Sequence, residues 1–149
     1  MAAGRAGGLV SRVLLDTSVW IRYLRAAGDP SLRAVVDQAL ATGVVVTCWV
    51  VRAELLVGAR DEAAFARLAE RLLGLEEVAL TPALWLEAAR LGFRLRQRGI
   101  LVALPDLLIA QAALQAGIPL WHADADFERL REVVPLQTRF FGEASDRQP

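Results

Sequence analysis

The chain has no lysine, one cysteine and one histidine among its 149 residues. A single thiol cannot close an intramolecular disulfide, and Cys48, between Thr47 and Trp49, is expected to be a small buried apolar residue. With one histidine and no Gly-Lys phosphate loop, neither a Ser-His-Asp site nor a P-loop is indicated. The 17 basic residues, all arginine, balance 17 acidic ones, so any contact with nucleic acid must come from a local patch.

Long apolar runs are also missing. No stretch approaches the ~20 apolar residues of a membrane span, and the apolar part of residues 1–10 is too short for a signal peptide. We therefore expect a cytoplasmic protein that does not enter the membrane. With 55% hydrophobic residues, the chain is long enough to bury one full core. We expect one domain over residues 1–149, with 1–10 and 143–149 frayed.

Short apolar runs alternate with segments of helical spacing along the chain. The apolar runs predict strands near residues 13–15, 44–46, 78–80 and 119–121. The helical segments lie near residues 17–25, 31–41, 49–59, 62–73, 82–98, 105–116 and 126–132. Strands that alternate with helices favour an α/β fold of three layers, with a short parallel sheet and helices on both faces.

Three acidic residues follow apolar strands or begin helices. Asp16 comes directly after a predicted strand, where open α/β sheets place their ligand sites, and Asp124 follows another at a similar junction between strand and helix. Both positions also suit a helix N-cap. Asp106 lies in the first turn of a predicted helix, where the helix dipole favours a negative charge. Each of these acids therefore has an adequate structural explanation when it is taken alone.

Glu54 lacks such an explanation in its local sequence. Its neighbours three and four residues away on the predicted helix are apolar or glycine, and an ionised carboxylate on an apolar surface is costly unless it is paired or binds a metal. If this residue and the three others met in one cleft, their mutual repulsion would require a cation. Oxygen ligands alone favour Mg²⁺ or Mn²⁺.

Four segments, in order, resemble the PIN domains and, within them, the VapC toxins of bacterial toxin–antitoxin pairs. The segments read LLDTSVWI at residues 14–21, VRAELLVG at 51–58, PDLLIAQAA at 105–113 and HADADF at 122–127. Each segment is weak alone, but their order and spacing cover nearly the whole chain. The resemblance implies a three-layer PIN-like fold.

The resemblance also implies the site residues. Its catalytic, metal-binding acids correspond to Asp16, Glu54, Asp106 and Asp124, and a supporting hydroxyl that holds water corresponds to Ser18. Asp126 assists or replaces Asp124, so the fourth position of the site stays open. Where many members have threonine two residues before the fourth acid, this chain has His122, which we interpret as a structural hydrogen-bonding residue.

The resemblance further implies that the chain hydrolyses RNA phosphodiester bonds with one or two Mg²⁺ ions. It implies a VapB-like antitoxin that inserts a segment into the acidic groove, and a homodimer. For the RNA, Arg90, Arg94 and Arg98 share one helix face and are candidates for phosphate contacts, although such a stripe is more often a solvated face.

Two other functions are alternatives. The first is a PIN-like module without catalysis that is retained for protein contacts, which the presence of all four acids disfavours. The second is a phosphatase with an aspartyl nucleophile at Asp16, but that class has a second Asp two residues on, where this chain has Ser18. Trp20, Trp49, Trp85 and Phe93 are candidates for partner contacts, and their helical spacing makes them core candidates first.

Overall fold

A five-stranded, fully parallel sheet forms the centre of the molecule. The structure, a computed structural model, describes residues 11–25 and 27–142. The predicted frayed segments, 1–10 and 143–149, lie outside these residues. The strands, in chain order, are β1 (Val13–Leu15), β2 (Val45–Thr47), β3 (Glu76–Glu77), β4 (Leu120–His122) and β5 (Thr138–Phe140).

Seven helices in the described residues flank the sheet, which confirms the predicted three-layer α/β fold with helices on both faces. They are α1 (Thr17–Leu24), α2 (Pro30–Ala41), α3 (Trp49–Val57), α4 (Glu62–Leu73), α5 (Pro82–Gln97), α6 (Leu104–Ala116) and α7 (Ala125–Leu130). Their ends follow the capping signals in the sequence. The hydroxyl of Thr81 accepts the N–H of Leu84 at 3.2 Å and begins α5. Gly117, with φ of 67°, ends α6 in the left-handed conformation.

The two edge strands differ from the sequence prediction. The prediction of a strand at residues 78–80 is wrong, because the pairing with β2 is made by Glu76 and Glu77. Val78 only continues it with one backbone bond of 2.8 Å to the carbonyl of Thr47. The fifth strand, β5, is absent from the sequence prediction. Both strands are short, largely exposed and charged, which is how sheets commonly protect their edges from unwanted pairing.

The strand order β3-β2-β1-β4-β5 indicates where a ligand crevice lies at the edge of the sheet. From β1 the chain moves outward through β2 to β3, and then returns to the other side of β1 for β4 and β5. The order therefore reverses between β1 and β4. In open α/β sheets the ligand crevice lies outside the carboxyl ends of the strands at such a reversal. Asp16 follows β1 and Asp124 follows β4, so both acids flank this crevice.

Helices α5 and α6 pack closely against each other and so fix the start of α6, where Asp106 lies. Gly92 permits the approach, since a Cβ added there would lie 2.6 Å from Cδ1 of the buried Leu107. The core itself is apolar and includes Cys48, which is fully buried as expected, and burial raises the pKa of its thiol.

The aromatic residues considered as partner contacts divide into two groups. Trp20 is buried in the core. Trp49, Trp85 and Phe93 are 50%, 46% and 62% exposed, so core packing does not account for them. None of the helices in the described part of the chain combines the length and apolarity needed to cross a bilayer.

Candidate metal centre

Asp16 is both a helix cap and a nearly buried acid at the crevice. Its Oδ2 accepts the N–H of Ser18 at 3.0 Å, which caps α1, and the same oxygen accepts the hydroxyl of Ser18. Only 4% of Asp16 is exposed. Burial raises the pKa of this carboxyl, while the bonds from Ser18 and Thr17 act to lower it. The capping role and a ligand role are therefore compatible, because Oδ1 does not take part in the cap.

Ser18 joins the two strand ends of the crevice. Its hydroxyl donates to Asp16 and accepts the backbone N–H of Ala123 at 2.9 Å. A second link is the bond of 2.8 Å from the N–H of Asp16 to the carbonyl of Trp121. The one proton of Ser18 is directed at Asp16, and the residue fixes the end of β1 against the end of β4. Its oxygen has a second lone pair that can accept from water, so the implied role of holding water stays a prediction.

Three acids lie close enough to share a metal ion. One carboxylate oxygen each from Asp106, Asp124 and Asp126 lies within 4.8 Å of the other two, in a search limited to the described residues. Asp124 also caps α7 by accepting the N–H of Asp126 at 3.0 Å. The carboxylate of Asp126 is in addition paired with Arg129. Asp126 thus has a cation of its own, whereas the hydrogen bond to Asp124 comes from a neutral backbone N–H.

The pKa of Asp106 is raised in part by the charges of all the other acids of the predicted site. Partial burial is the largest cause that raises its pKa to about 7, followed by repulsion from Asp16, Asp124, Glu54 and Asp126. A carboxyl affected by four like charges lies where those charges converge. Among the described residues, the carboxylate oxygens of Asp106, Asp124 and Asp126 lie within reach of one ion. Asp16 and Glu54 lie outside this group of three and act on Asp106 through their charges.

The physical reason for expecting Glu54 at the site, its apolar neighbours on the helix, does not hold in the structure. Its side chain is exposed, and Val57 beside it is 87% exposed, so the argument that an apolar surface makes its charge costly is wrong. The hydroxyl of Thr17 donates to its Oε1 at 2.8 Å and joins α3 to the start of α1. Thr17 lies directly beside Asp16 in the chain, and no local sequence pattern indicates its partner across the crevice.

The five acids fit a hard divalent cation. They offer only carboxylate oxygens, which are the ligands that Mg²⁺ and Mn²⁺ prefer. Burial is the main cause that raises the pKa of Asp106, and repulsion from the other four acids adds to it. A divalent ion at the crevice would relieve that repulsion, so the donor set and its electrostatics both suit a metal.

His122 is a structural hydrogen-bonding residue, as its position suggests. It is fully buried, its Nε2 lies 2.8 Å from Oε1 of Glu128, and its Nδ1 lies 3.3 Å from the N of Asp124. Glu128 also accepts from Thr138 and Arg131. Burial raises the pKa of Glu128, but these hydrogen bonds outweigh it, and the pKa is lowered overall. Sequence reasoning missed both partners: Thr138 lies on the unpredicted β5, and no local pattern pairs Glu128 on α7 with His122 on β4.

The arginine stripe belongs to α5 and its C-terminal end, and it packs beside a part of α6 that is distant from Asp106. Arg90 and Arg94 line a cavity of about 210 Å³ together with Gln111 and Leu114, and Arg90 lies 3.6 Å from Glu87. Gln111 is five residues beyond Asp106, about 7.5 Å along the helix axis. Arg90, Arg94 and Arg98 are all exposed. The structure therefore places the first two beside the second half of α6 rather than within the acidic group.

Comparisons with known proteins agree with this geometry. The PIN domain family model matches residues 13–133. VapC ribonuclease Mb1587 of Mycobacterium bovis is 31% identical over 134 residues, which are 87% of this chain and 98% of that protein. Ribonuclease VapC11 of Mycobacterium tuberculosis shows the same identity and coverage.

The fold has a counterpart among solved structures. It resembles the crystal structure of VapBC2 from Rickettsia felis bound to a DNA fragment from their promoter, with a TM-score of 0.71 and 19% identity. The match covers 87% of this chain and 98% of that one. Because the family model spans most of the chain and the curated relatives exceed 30% identity over nearly their whole length, the chain belongs to the PIN-domain family and, within it, to the VapC ribonucleases.

Proposed function

We propose that this chain is an endoribonuclease dependent on Mg²⁺ or Mn²⁺, and that it acts in the cytoplasm as the toxin of a VapBC-type pair. The observation that carries the proposal is the cluster of Asp106, Asp124 and Asp126 at the crevice between β1 and β4, whose carboxylate oxygens lie within 4.8 Å of one another. The charges of Asp16 and Glu54 also act on Asp106. The metal ligands are Asp16, Glu54, Asp106 and Asp124. Asp126 assists them rather than replacing Asp124, since Arg129 already neutralises it.

The residues of the chain hold and orient the metal ligands. A bound divalent ion supplies charge stabilisation at the phosphodiester and lowers the pKa of water. Asp16 is held by Ser18, Asp124 by the first turn of α7, and Glu54 by Thr17. These carboxylates act as ligands and not as nucleophiles, which separates the site from that of an aspartyl phosphatase. Prepositioned ligands keep the reacting geometry without reorganisation at each turnover.

RNA binding depends on local charge, because the whole chain is neutral. We propose Arg90, Arg94 and Arg98 as contacts to RNA phosphates at a distance from the cleavage point. Their exposure supports this role, and Arg gives bidentate phosphate contacts. The stripe borders α6, which carries Asp106 in its first turn, so a strand of RNA crossing the crevice can reach it.

We also propose two protein partners. The similarity to VapBC2 supports a VapB-like antitoxin that inserts a segment into the acidic crevice. The exposed Trp49, Trp85 and Phe93 support a homodimer, because large aromatic side chains are enriched in protein interfaces. The whole domain, residues 1–149, is proposed to act as one unit in these assemblies.

The test of the activity is cleavage of RNA by the purified chain in Mg²⁺ and in a chelator. Asp16→Asn, Glu54→Gln and Asp106→Asn should each lose more activity than the roughly 10–100-fold that loss of an outer partner of a ligand costs. The control is Glu70→Gln, an exposed acid on α4, which should keep wild-type activity. Full activity of all three site variants would overturn the proposal.

The alternative is a PIN-like binding module without catalysis. A chain of that kind would show no cleavage in Mg²⁺ and no heat on titration with Mn²⁺. The mutual repulsion of the acids in the crevice favours the metal-dependent enzyme.

A further inference from the structure

The imidazole of His122 is enclosed at the end of β4. It is fully buried, and the rings of Phe127 and Phe140 pack against it, each with its centroid 5.1 Å from that of the imidazole. Apolar surroundings of this kind do not solvate a polar ring, so each nitrogen needs a partner from the protein. Both nitrogens have one.

The partners of His122 determine which nitrogen carries the proton. Nε2 faces Oε1 of Glu128 at 2.8 Å, and the hydroxyl of Thr138 donates to the same oxygen at 2.7 Å. An ionised carboxylate can only accept, so Nε2 carries the proton and donates. Nδ1 then has a free lone pair, and the backbone N–H of Asp124 donates to it at 3.3 Å. The two contacts require the same neutral tautomer.

We propose that His122 is a positioning residue for Asp124, holding its backbone N–H through Nδ1 in a tautomer that Glu128 imposes. This inference rests on the proposed function, in which Asp124 is a metal ligand. The bond from Asp124 to His122 fixes the backbone as it leaves β4. The bond from the N–H of Asp126 then fixes the carboxylate of Asp124. Two hydrogen bonds in series thus set both the place and the direction of the ligand.

A role in packing alone would leave part of this arrangement unexplained. A buried side chain packed against two phenylalanine rings could be apolar and would need no partner. Nδ1 accepts the backbone N–H of the residue two positions ahead. The side-chain oxygen of asparagine accepts in the same way in an Asx turn. The positioning of Asp124 therefore depends on one acceptor atom, and its effect can be measured separately from the effect of the ring's volume on packing.

Two substitutions of similar size separate the acceptor from packing. His122→Asn keeps an acceptor that can reach the N–H of Asp124, and His122→Leu removes it, while neither keeps the hydrogen bond to Glu128. Thermal unfolding of the two variants measures what each substitution costs the fold, and His122→Asn should cost at least as much as His122→Leu because its buried amide N–H₂ lacks the partner at Glu128. The informative readout is Mn²⁺ affinity by calorimetry, alongside RNA cleavage in Mg²⁺.

We expect His122→Leu to weaken Mn²⁺ binding by roughly 10–100-fold, and His122→Asn to restore most of that affinity. Equal Mn²⁺ affinity in the two variants, with wild-type protein binding normally, would overturn the positioning role and leave the proposed function intact. Absence of Mn²⁺ binding and RNA cleavage in the wild-type protein would overturn both.

A second measurement uses the wild-type protein and does not depend on the folding of any variant. His122 is the only histidine of the chain, so ¹⁵N NMR reports its tautomer without ambiguity. The hydrogen-bond geometry predicts a proton on Nε2 and none on Nδ1. A proton on Nδ1, either in the other tautomer or in an imidazolium, would overturn the inference, because Nδ1 could not then accept from Asp124.

Discussion

The hydroxyl of Thr17 donates a hydrogen bond of 2.8 Å to Oε1 of Glu54 and so joins the first turn of α1 to α3. Thr17→Val removes this donor and frees an exposed carboxylate to turn away from the crevice. We expect Mn²⁺ affinity to fall by roughly 10-fold, as for loss of an outer partner of a metal ligand. Thr17→Ser keeps the hydroxyl and should bind as wild type. Calorimetry measures both, and wild-type affinity in Thr17→Val would show that the bond does not orient Glu54.

The raised pKa of Asp106 predicts how the metal-free protein responds to pH. Its pKa is about 7 in the folded protein and 3.8 ordinarily, so between these values the folded state holds a proton that the unfolded state has released. This group therefore destabilises the fold progressively as pH rises from about 4 to about 7. Asp106→Asn should unfold at a higher temperature than wild type at pH 8, and the difference should shrink toward pH 4.

Thermal unfolding in a chelator across this pH range measures the effect, and Glu70→Gln serves as the matched control with wild-type behaviour. Added Mn²⁺ should reverse the order at pH 8, since only the wild-type site binds it well. Parallel curves for wild type and Asp106→Asn would mean that the pKa of Asp106 is not raised in the folded protein.

Replacement of Arg52, which lies away from the acids, should lower the free energy of unfolding substantially. Its side chain is 3% exposed, and it donates to the carbonyls of Leu72 and Leu75 at 3.2 Å and to Glu77. Arg52→Met leaves these acceptors without their donor, and we expect a loss of roughly 3 kcal/mol in the free energy of unfolding. Arg60→Met, at a guanidinium 82% exposed, should cost less than about 0.5 kcal/mol. Denaturant titration measures both losses. Equal losses in Arg52→Met and Arg60→Met would show that the buried hydrogen bonds of Arg52 do not stabilise the fold.

The proposed phosphate contacts of α5 predict a change in salt dependence. Reversal of charge at Arg94 and Arg98 together should weaken RNA binding, and the slope of log affinity against log salt should fall by roughly 1 for each phosphate that is no longer bound. The same reversal at Arg60 and Arg67, exposed residues near and on α4, is the matched control. Unchanged affinity and slope in the Arg94 and Arg98 variant would remove the stripe from the RNA site.

The sequence is most informative where the local pattern and the tertiary structure agree. The apolar run at 13–15 forms β1, and the capping signal at Thr81 begins α5 as predicted. The edge strands escape sequence reasoning because backbone pairing defines them. On either side of β5, the carbonyl of Gln137 and the N–H of Phe141 bind to β4. The side chains of β5 itself are largely exposed and show no apolar alternation.

The site shows the same division. Asp16, Asp106 and Asp124 can be predicted from their places at strand ends and helix starts, and these places are local in the sequence. The reason for expecting Glu54 is wrong, because an apolar neighbour in the sequence, Val57, is exposed in the fold. The partners of the acids, such as Thr17 for Glu54, lie far away in the chain, so only the three-dimensional structure reveals them.

Titration of the chelator-treated protein with Mn²⁺, followed by calorimetry, tests the central claim that these acids form one divalent metal site. We predict saturable binding to the wild-type protein and to Glu70→Gln at pH 8. Binding should be abolished or weakened by far more than roughly 10-fold in Asp106→Asn, which removes a charge from the point where the others converge. Wild-type affinity in Asp106→Asn, or no Mn²⁺ binding by the wild-type protein, would contradict the account.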